Sequence, residues 1–297
     1  MKGFLLTALA FSLLLSTDAM AQRWAHGEDE VPTLYAVGIA GDVVPSIDGD
    51  LSEWANYPEW NVLTFVDDFI DNSFGTVKDL NSLDFTGKVA WHPGTNMMYW
   101  AFDVWDDVHV QESAPGECLY WIQDTLEWYI NATASGGSYN GNEPDGVPRC
   151  AFAQQEAMLI GGVGDDVCTC SASKWSMEAP YLYWAGTTTE LAHGHRTTYE
   201  VGRMLFDWLD ETPDASTIHQ LAEGNLIKMS FDIDDQDQTG PEKSQTTAWY
   251  TTPLTALFRE ADNLNDLIMG PLEWDLSDMP TAVETATWGA VKSTFIE

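Results

Sequence analysis

The stretch that most restricts how this chain can fold is residues 118–131, CLYWIQDTLEWYIN. Aromatic and β-branched residues dominate it, which favours an extended strand. From Asp124 onward the side chains alternate. Leu126, Trp128 and Ile130 fall on one face, and Thr125, Glu127 and Tyr129 on the other. The first face suits a core. The second carries one carboxylate among a ring and hydroxyls, which fits a ligand-facing surface and equally a solvated sheet face. Trp121 stands just before the alternation begins.

The rest of the chain repeats this pattern in shorter pieces. Residues 34–44 form a first apolar run. Next, PSIDGDLSEW (45–54) carries an Asp-Gly turn, with Ile47, Leu51 and Trp54 spaced to pin it onto a core. Residues 60–88 are mostly polar, a loop with one strand. Residues 88–91 and 97–104 make a hairpin around His92-Pro-Gly-Thr-Asn96. In it Met98, Trp100, Phe102 and Val104 alternate against Tyr99, Ala101 and Asp103. Residues 132–150 are a long loop rich in Gly, Asn and Pro. Further strands are expected around 158–160, 181–184, 195–201, 227–234 and 248–250, with a last one ending near Trp274; residues 204–209 read as a short helical turn. Many short strands between turn clusters, with little helix, predict an all-β antiparallel β-sandwich of jelly-roll or immunoglobulin-like form with long loops. One domain is expected over residues 22–275. In the tail, 276–297, Val283, Trp288, Val291 and Phe295 share one face of a short helix.

Residues 1–21 read as a signal peptide: Lys2, an apolar run from Phe4 to Leu15, then Ala19-Met20-Ala21. The run is too short to span a membrane, so export to the periplasm, cell surface or medium is expected, with no membrane span. Four cysteines, Cys118, Cys150, Cys168 and Cys170, all follow it. An oxidising compartment favours two disulfides. Cys168 and Cys170 are too close to bridge each other comfortably, so each pairs with Cys118 or Cys150. A zinc site is the competing reading, although no His lies near and the spacing is unusual for zinc.

The formal net charge is −35, with only 12 Lys and Arg. Nucleic acid and anionic membrane surfaces are repelled by such a chain. A saline habitat or calcium binding would account for the acidity. The 14 Trp point elsewhere, because a flat indole suits a sugar ring. No G-x-S-x-G, H-E-x-x-H or P-loop pattern is present, so no catalytic residue is assigned. His193-Gly-His195 reads as a polar turn. Asp232, Asp234, Asp235 and Asp237 end one strand and form the candidate calcium site; Asp103, Asp106 and Asp107 end another.

Taken in order, these motifs resemble the family 9 carbohydrate-binding modules of secreted xylanases and their wider DOMON-like sandwich relatives. The likeness covers roughly residues 40–270. It is carried by Pro45-Ser-Ile-Asp-Gly-Asp-Leu51 with Trp54, by the hairpin from Lys88 to Asp106, by the strand from Trp121 to Asn131, by Thr198-Tyr-Glu-Val201, and by Ser230-Phe-Asp-Ile233 with the acids to Asp237. The resemblance implies a non-catalytic domain in which two aromatic rings sandwich a sugar of a glucan or xylan chain. Trp121 falls on the first of those rings, Glu127 on a polar contact, and Phe258, a smaller ring than the family's Trp, on the second. A secreted glycoside hydrolase would be the companion enzyme. A strand of six residues spans about 20 Å, so Trp121 must fold back from a loop to share a ligand with Glu127. Some relatives of this sandwich instead hold haem b between a His and a Met, for which His92, His109, Met97, Met98, Met158 and Met229 are candidates. A third reading is a surface or assembly module with no ligand.

Overall fold

Alternation of side chains governs the chain nearly from end to end. The structure, a computed structural model, describes residues 31–277 except 72, 142, 144 and 246. The expected signal peptide and the tail helix with Val283, Trp288, Val291 and Phe295 lie outside the described residues. The strands are β1 (Leu34–Ala40), β2 (Leu63–Thr64), β3 (Leu83–His92), β4 (Met97–Asp106), β5 (Thr125–Asn131), β6 (Gln154–Leu159) and β7 (Asp166–Thr169). They continue as β8 (Leu182–Glu190), β9 (His195–Arg203), β10 (Phe206–Trp208), β11 (Thr217–Ile218), β12 (Leu226–Asp235), β13 (Thr247–Tyr250) and β14 (Asp266–Asp275). The expected helical turn at 204–209 is instead β10, paired with β11. Phe206 and Leu209 face the interior, a tertiary demand that overrides local preference.

Hydrogen bonding runs in the order β7-β6-β5-β12-β14-β1-β3-β4-β9-β8, with β13 beside β12 and β2 beside β3. The sheet folds back on itself at β14, which pairs briefly with β12 and along its length with β1. The result is the all-β sandwich. Its pairings are antiparallel except at β1, which runs parallel to both β14 and β3. This departs from the all-antiparallel expectation. β1 is a short apolar run, with Ala36, Val37 and Ile39 fully buried, as suits a strand covered on both faces. A bulge interrupts its register with β14 at Gly38, where an added Cβ would meet the Pro271 carbonyl at 2.6 Å.

The main core lies between the layers. Met98, Trp100 and Phe102 of β4 face Leu126, Trp128 and Ile130 of β5 and Met229, Phe231 and Ile233 of β12, the faces expected to be apolar. The Trp100 ring centre is 5.1 Å from that of Trp128 and 5.9 Å from that of Phe231. On the outer side of β1, β3 and β4 a second cluster forms around Trp54, Tyr57 and Trp274. Trp54 Nε1 donates to Glu200 Oε1 at 2.8 Å, and the Asp48 and Gly49 amides each donate to Glu200 Oε2 at 3.0 Å. The Asp-Gly turn is therefore pinned by Trp54, as expected, and also by a carboxylate of β9.

One buried ion pair crosses the sandwich. Arg203 of β9 donates through Nε to Glu156 Oε2 of β6 at 3.0 Å and through a terminal nitrogen to Glu156 Oε1. Its other terminal nitrogen donates to the Ser176 carbonyl at 2.6 Å, and Trp128 Nε1 donates to Glu156 Oε2 at 2.8 Å. Both side chains are sealed from solvent. Breaking one partner of such a pair strands a charge in low dielectric. Arg203→Met should cost about 3–5 kcal/mol in denaturant unfolding, whereas Arg203→Met combined with Glu156→Leu should recover most of it.

Burial is the largest cause pushing the Glu200 carboxyl up to about 7, against the downward pull of its three donors. A carboxyl that holds its proton more tightly folded than unfolded loses stability as pH rises between the two values. Glu200→Gln should flatten that part of the stability curve between about pH 5 and pH 8, read from melting temperatures.

Candidate functional site

The turn before β5 holds the exposed indole. Tyr120–Ile122 form a single 3-10 turn, closed by Gln123 N donating to the Tyr120 carbonyl at 3.0 Å. Thr125 Oγ1 donates to that same carbonyl at 3.0 Å. Cys118, just ahead, is bonded to Cys168 of β7. Trp121 is 43% exposed, and its ring neighbour is Tyr120 in an edge-on contact at 5.3 Å. Thus the Trp lies in a short turn outside β5, tethered through Cys118 to β7. The second disulfide joins Cys150 to Cys170. Each of Cys168 and Cys170 pairs with one of the earlier two, and with all four sulfurs so used the zinc alternative falls.

Beside the turn is a cleft of about 360 Å³, with Leu119, Ile122 and Gln123 on one wall and Gly240, Pro241 and Lys243 on the other. Lys243 Nζ donates to Glu112 Oε2 at 2.9 Å and to Gln123 Oε1 at 3.0 Å. A larger cleft, about 590 Å³, lies on the outer face of the opposite layer and contains Asp48, Lys88, Asp103 and Arg196. It has no aromatic wall.

Glu127 is placed differently from an open contact residue. It is on the face opposite Leu126 and Trp128, as alternation requires, yet it is only 2% exposed. The 132–150 loop folds back over that face. Tyr139 packs with Tyr129, Tyr250, Leu257 and Leu264 in a third cluster. That loop is tied to the one carrying Phe258: the Tyr139 amide donates to the Arg259 carbonyl at 2.9 Å, and Ser138 Oγ to Glu260 Oε2 at 2.7 Å. Phe258 is itself 44% exposed, with the Arg259 guanidinium 4.9 Å from its ring centre. Among the described residues no ring contact joins Trp121 and Phe258.

The run of four acids is divided by the period of the strand. Asp232 and Asp234 lie on the covered outer face with Glu127, their oxygens within 4.8 Å of one another. Asp235 falls on the inner register beside Asp106 and Asp124, and Asp237 groups with Asp106 and Asp107. The four therefore do not converge on one site, because successive residues of a strand point oppositely. In the second group burial pushes Asp106 up to about 9, with Asp124 and Asp235 adding repulsion. His109 Nδ1 is 3.3 Å from Asp124 Oδ2, its Nε2 meets the Ile160 carbonyl at 2.9 Å, and burial lowers its pKa. His92 bonds Thr95 and the Gly41 carbonyl through its two nitrogens. Met98, Met158 and Met229 are in the main core and Met97 in the second cluster, so neither imidazole turns a nitrogen to a methionine. His193 and His195 flank Gly194 at the turn between β8 and β9, a polar turn as read.

Sequence reasoning missed Tyr120. It packs on Ala157 and Leu159, and burial, then Glu127, pushes its hydroxyl above the usual phenol range. It stands between the Trp121 indole and the buried acids. Its place beside Trp121 in the chain was the available signal.

No family model matches the chain, and no curated protein does. Solved structures do. A family 9 carbohydrate-binding module from Caldicellulosiruptor kristjanssonii, in complex with cellotriose, aligns at TM-score 0.52 and 13% identity over 84% of this chain and 98% of the module. The same module with glucose aligns at 0.50, again at 13% identity, over 84% and 99%. The chain thus has a CBM9-like fold.

The Cys118–Cys168 bridge closes a long loop and fixes the Trp121 turn to β7. Replacing both cysteines with Ser should lower stability by about 2–4 kcal/mol and raise proteolysis at 111–123, measured by melting and limited digestion.

Proposed function

We propose that this is an exported, non-catalytic carbohydrate-binding protein that holds a polysaccharide of glucan or xylan type against Trp121. The observation carrying this reading is a half-exposed indole, locked in place by a disulfide and a 3-10 turn, beside a cleft of mixed apolar and polar lining. The fold adds support, since the module it resembles was solved with cellotriose and with glucose. A sugar ring has an apolar face that stacks on indole and equatorial hydroxyls that seek hydrogen bonds. Glu112 offers an exposed carboxylate at the cleft, held by Lys243, which Gln123 braces from beneath. Phe258 offers a second exposed ring for a neighbouring unit of the chain. Glu127, being covered, acts beneath the surface rather than on it. One stacked ring with a few hydrogen bonds gives weak binding, in roughly the micromolar to millimolar range. A secreted glycoside hydrolase is the natural user of such a protein.

Affinity electrophoresis through gels containing soluble β-glucans or xylans tests the reading. Retardation by at least one polysaccharide is expected, with Trp121→Ala weakening it about tenfold or more, equivalent to ~1.4 kcal/mol, and Phe258→Ala weakening it less. Absence of retardation on every polysaccharide would leave a ligandless assembly module.

A further inference from the structure

The cleft of about 590 Å³ lies on the outer face of the layer opposite the Trp121 turn. Its floor is the sheet itself. In register, Thr86 of β3 is opposite Asp103 of β4, Asp103 is opposite Thr198 of β9, and Thr198 is opposite Thr187 of β8. Its rim is the turn at 48–52. Thr198 Oγ1 donates to the Gly49 carbonyl at 2.8 Å, and Glu200 below takes the Asp48 and Gly49 amides. Gly49 is set down so closely on β8 that an added Cβ would lie 3.1 Å from the Gly186 Cα. Rim and floor are therefore fixed before any ligand arrives, and a fixed site loses little free energy to ordering on binding.

Across the floor the charges alternate, with Lys88 on β3, Asp103 on β4 and Arg196 on β9. Arg196 donates through Nε and Nη2 to Asp103, each at 2.6 Å, which leaves Nη1 without a partner among the described residues. Lys88 Nζ donates to the Trp54 carbonyl at 2.8 Å and keeps two further N–H groups. Burial lowers the Lys88 pKa, the mark of an ammonium stripped of water. Asp48 and Asp50 stand on the rim, so three carboxylates face two cations and no large excess of either sign is left to hold an ion. Hydroxyls of Ser52, Thr86, Thr187 and Thr198 complete a lining in which only Leu51 and Ala101 are apolar. A paired guanidinium and carboxylate offers donors and acceptors side by side, which suits adjacent hydroxyls of a sugar ring. The lining itself has no ring, but one stands at its end. Trp105 is opposite Arg196 and on the same face as Asp103, and its Nε1 donates to the His193 carbonyl at 3.3 Å.

We propose that this cleft is a second carbohydrate site, taking a short stretch of an uncharged glycan chain with its hydroxyls on Lys88, Asp103 and Arg196 and a ring face against Trp105. The site stands whether or not a sugar binds at Trp121. Where both are filled, opposite faces of the sandwich hold separate stretches of polysaccharide, a bridge that one site cannot make.

The test labels the mature chain with fluorotryptophan and assigns the Trp105 fluorine resonance by its loss in Trp105→Phe. The probes are cellohexaose and xylohexaose, with a galacturonic acid hexamer as the charged control. In Trp121→Ala protein, which lacks the first site, a neutral probe should still shift the Trp105 resonance, saturating with a Kd of roughly millimolar. Arg196→Ala and Asp103→Asn break an exposed ion pair, which costs little stability, and each should weaken that response about tenfold. Four results would overturn the assignment: a Trp105 resonance unmoved by either neutral probe, a shift that vanishes with Trp121→Ala, a shift indifferent to both Arg196→Ala and Asp103→Asn, or a stronger response to the galacturonic acid hexamer. Polysaccharide retardation that survives Trp121→Ala and disappears in Arg196→Ala would uphold this cleft while removing the role of Trp121.

Discussion

How the two layers of the sandwich are aligned is set by a charge pair that water cannot reach. Arg203 and Glu156 sit on facing strands near opposite ends of one continuous hydrogen-bonded sheet. Backbone pairing holds each layer together but does nothing to hold one layer against the other. Apolar packing does that in the middle, through Trp100, Trp128 and Phe231, without fixing register. The guanidinium does fix it, because its planar fork must meet a carboxylate, a carbonyl and the space beside Phe206 at once. Trp128 donates to the same carboxylate, so the core ring and the ion pair share one geometry.

The strand with that ring also shows how far the sequence could be read. Alternation at 124–131 and at 97–104 was legible, because period two is imposed by backbone geometry and both inner faces were uninterrupted apolar series. The turn at Asp48-Gly49 was legible for a local reason, a Gly with φ of +83°. What could not be read was what covers the outer face of β5. A stretch rich in Gly and Asn looks like a solvated loop. Yet it carries Tyr139, whose hydroxyl reaches the Leu257 carbonyl from a buried position. That one ring turns the loop into a third layer. Glu127 is interior for this reason, and no property of its own strand could have disclosed it.

The acids illustrate the same limit. Written as a string, Asp232 to Asp237 looks like one ligand set. Folded, the string is combed apart, one part under the loop layer and the other at the mouth between the layers. The second part meets Asp106 and Asp124, which are remote in sequence. Arg203 and Glu156 escaped notice similarly, since a lone charge in a strand reads as solvated until its partner across the sandwich is known.

The parallel position of β1 has its own consequence. It is a middle strand of the sheet, yet one of its neighbours is β14, at the far end of the described chain. Until β14 has been synthesised and docked, β1 has a bare flank and the seam where the sheet turns back stays open. Such wiring makes assembly a late, all-at-once event, dominated by contacts remote in sequence and therefore slow. A shortened chain lacking β14 would lose the hinge of both layers and not merely an edge.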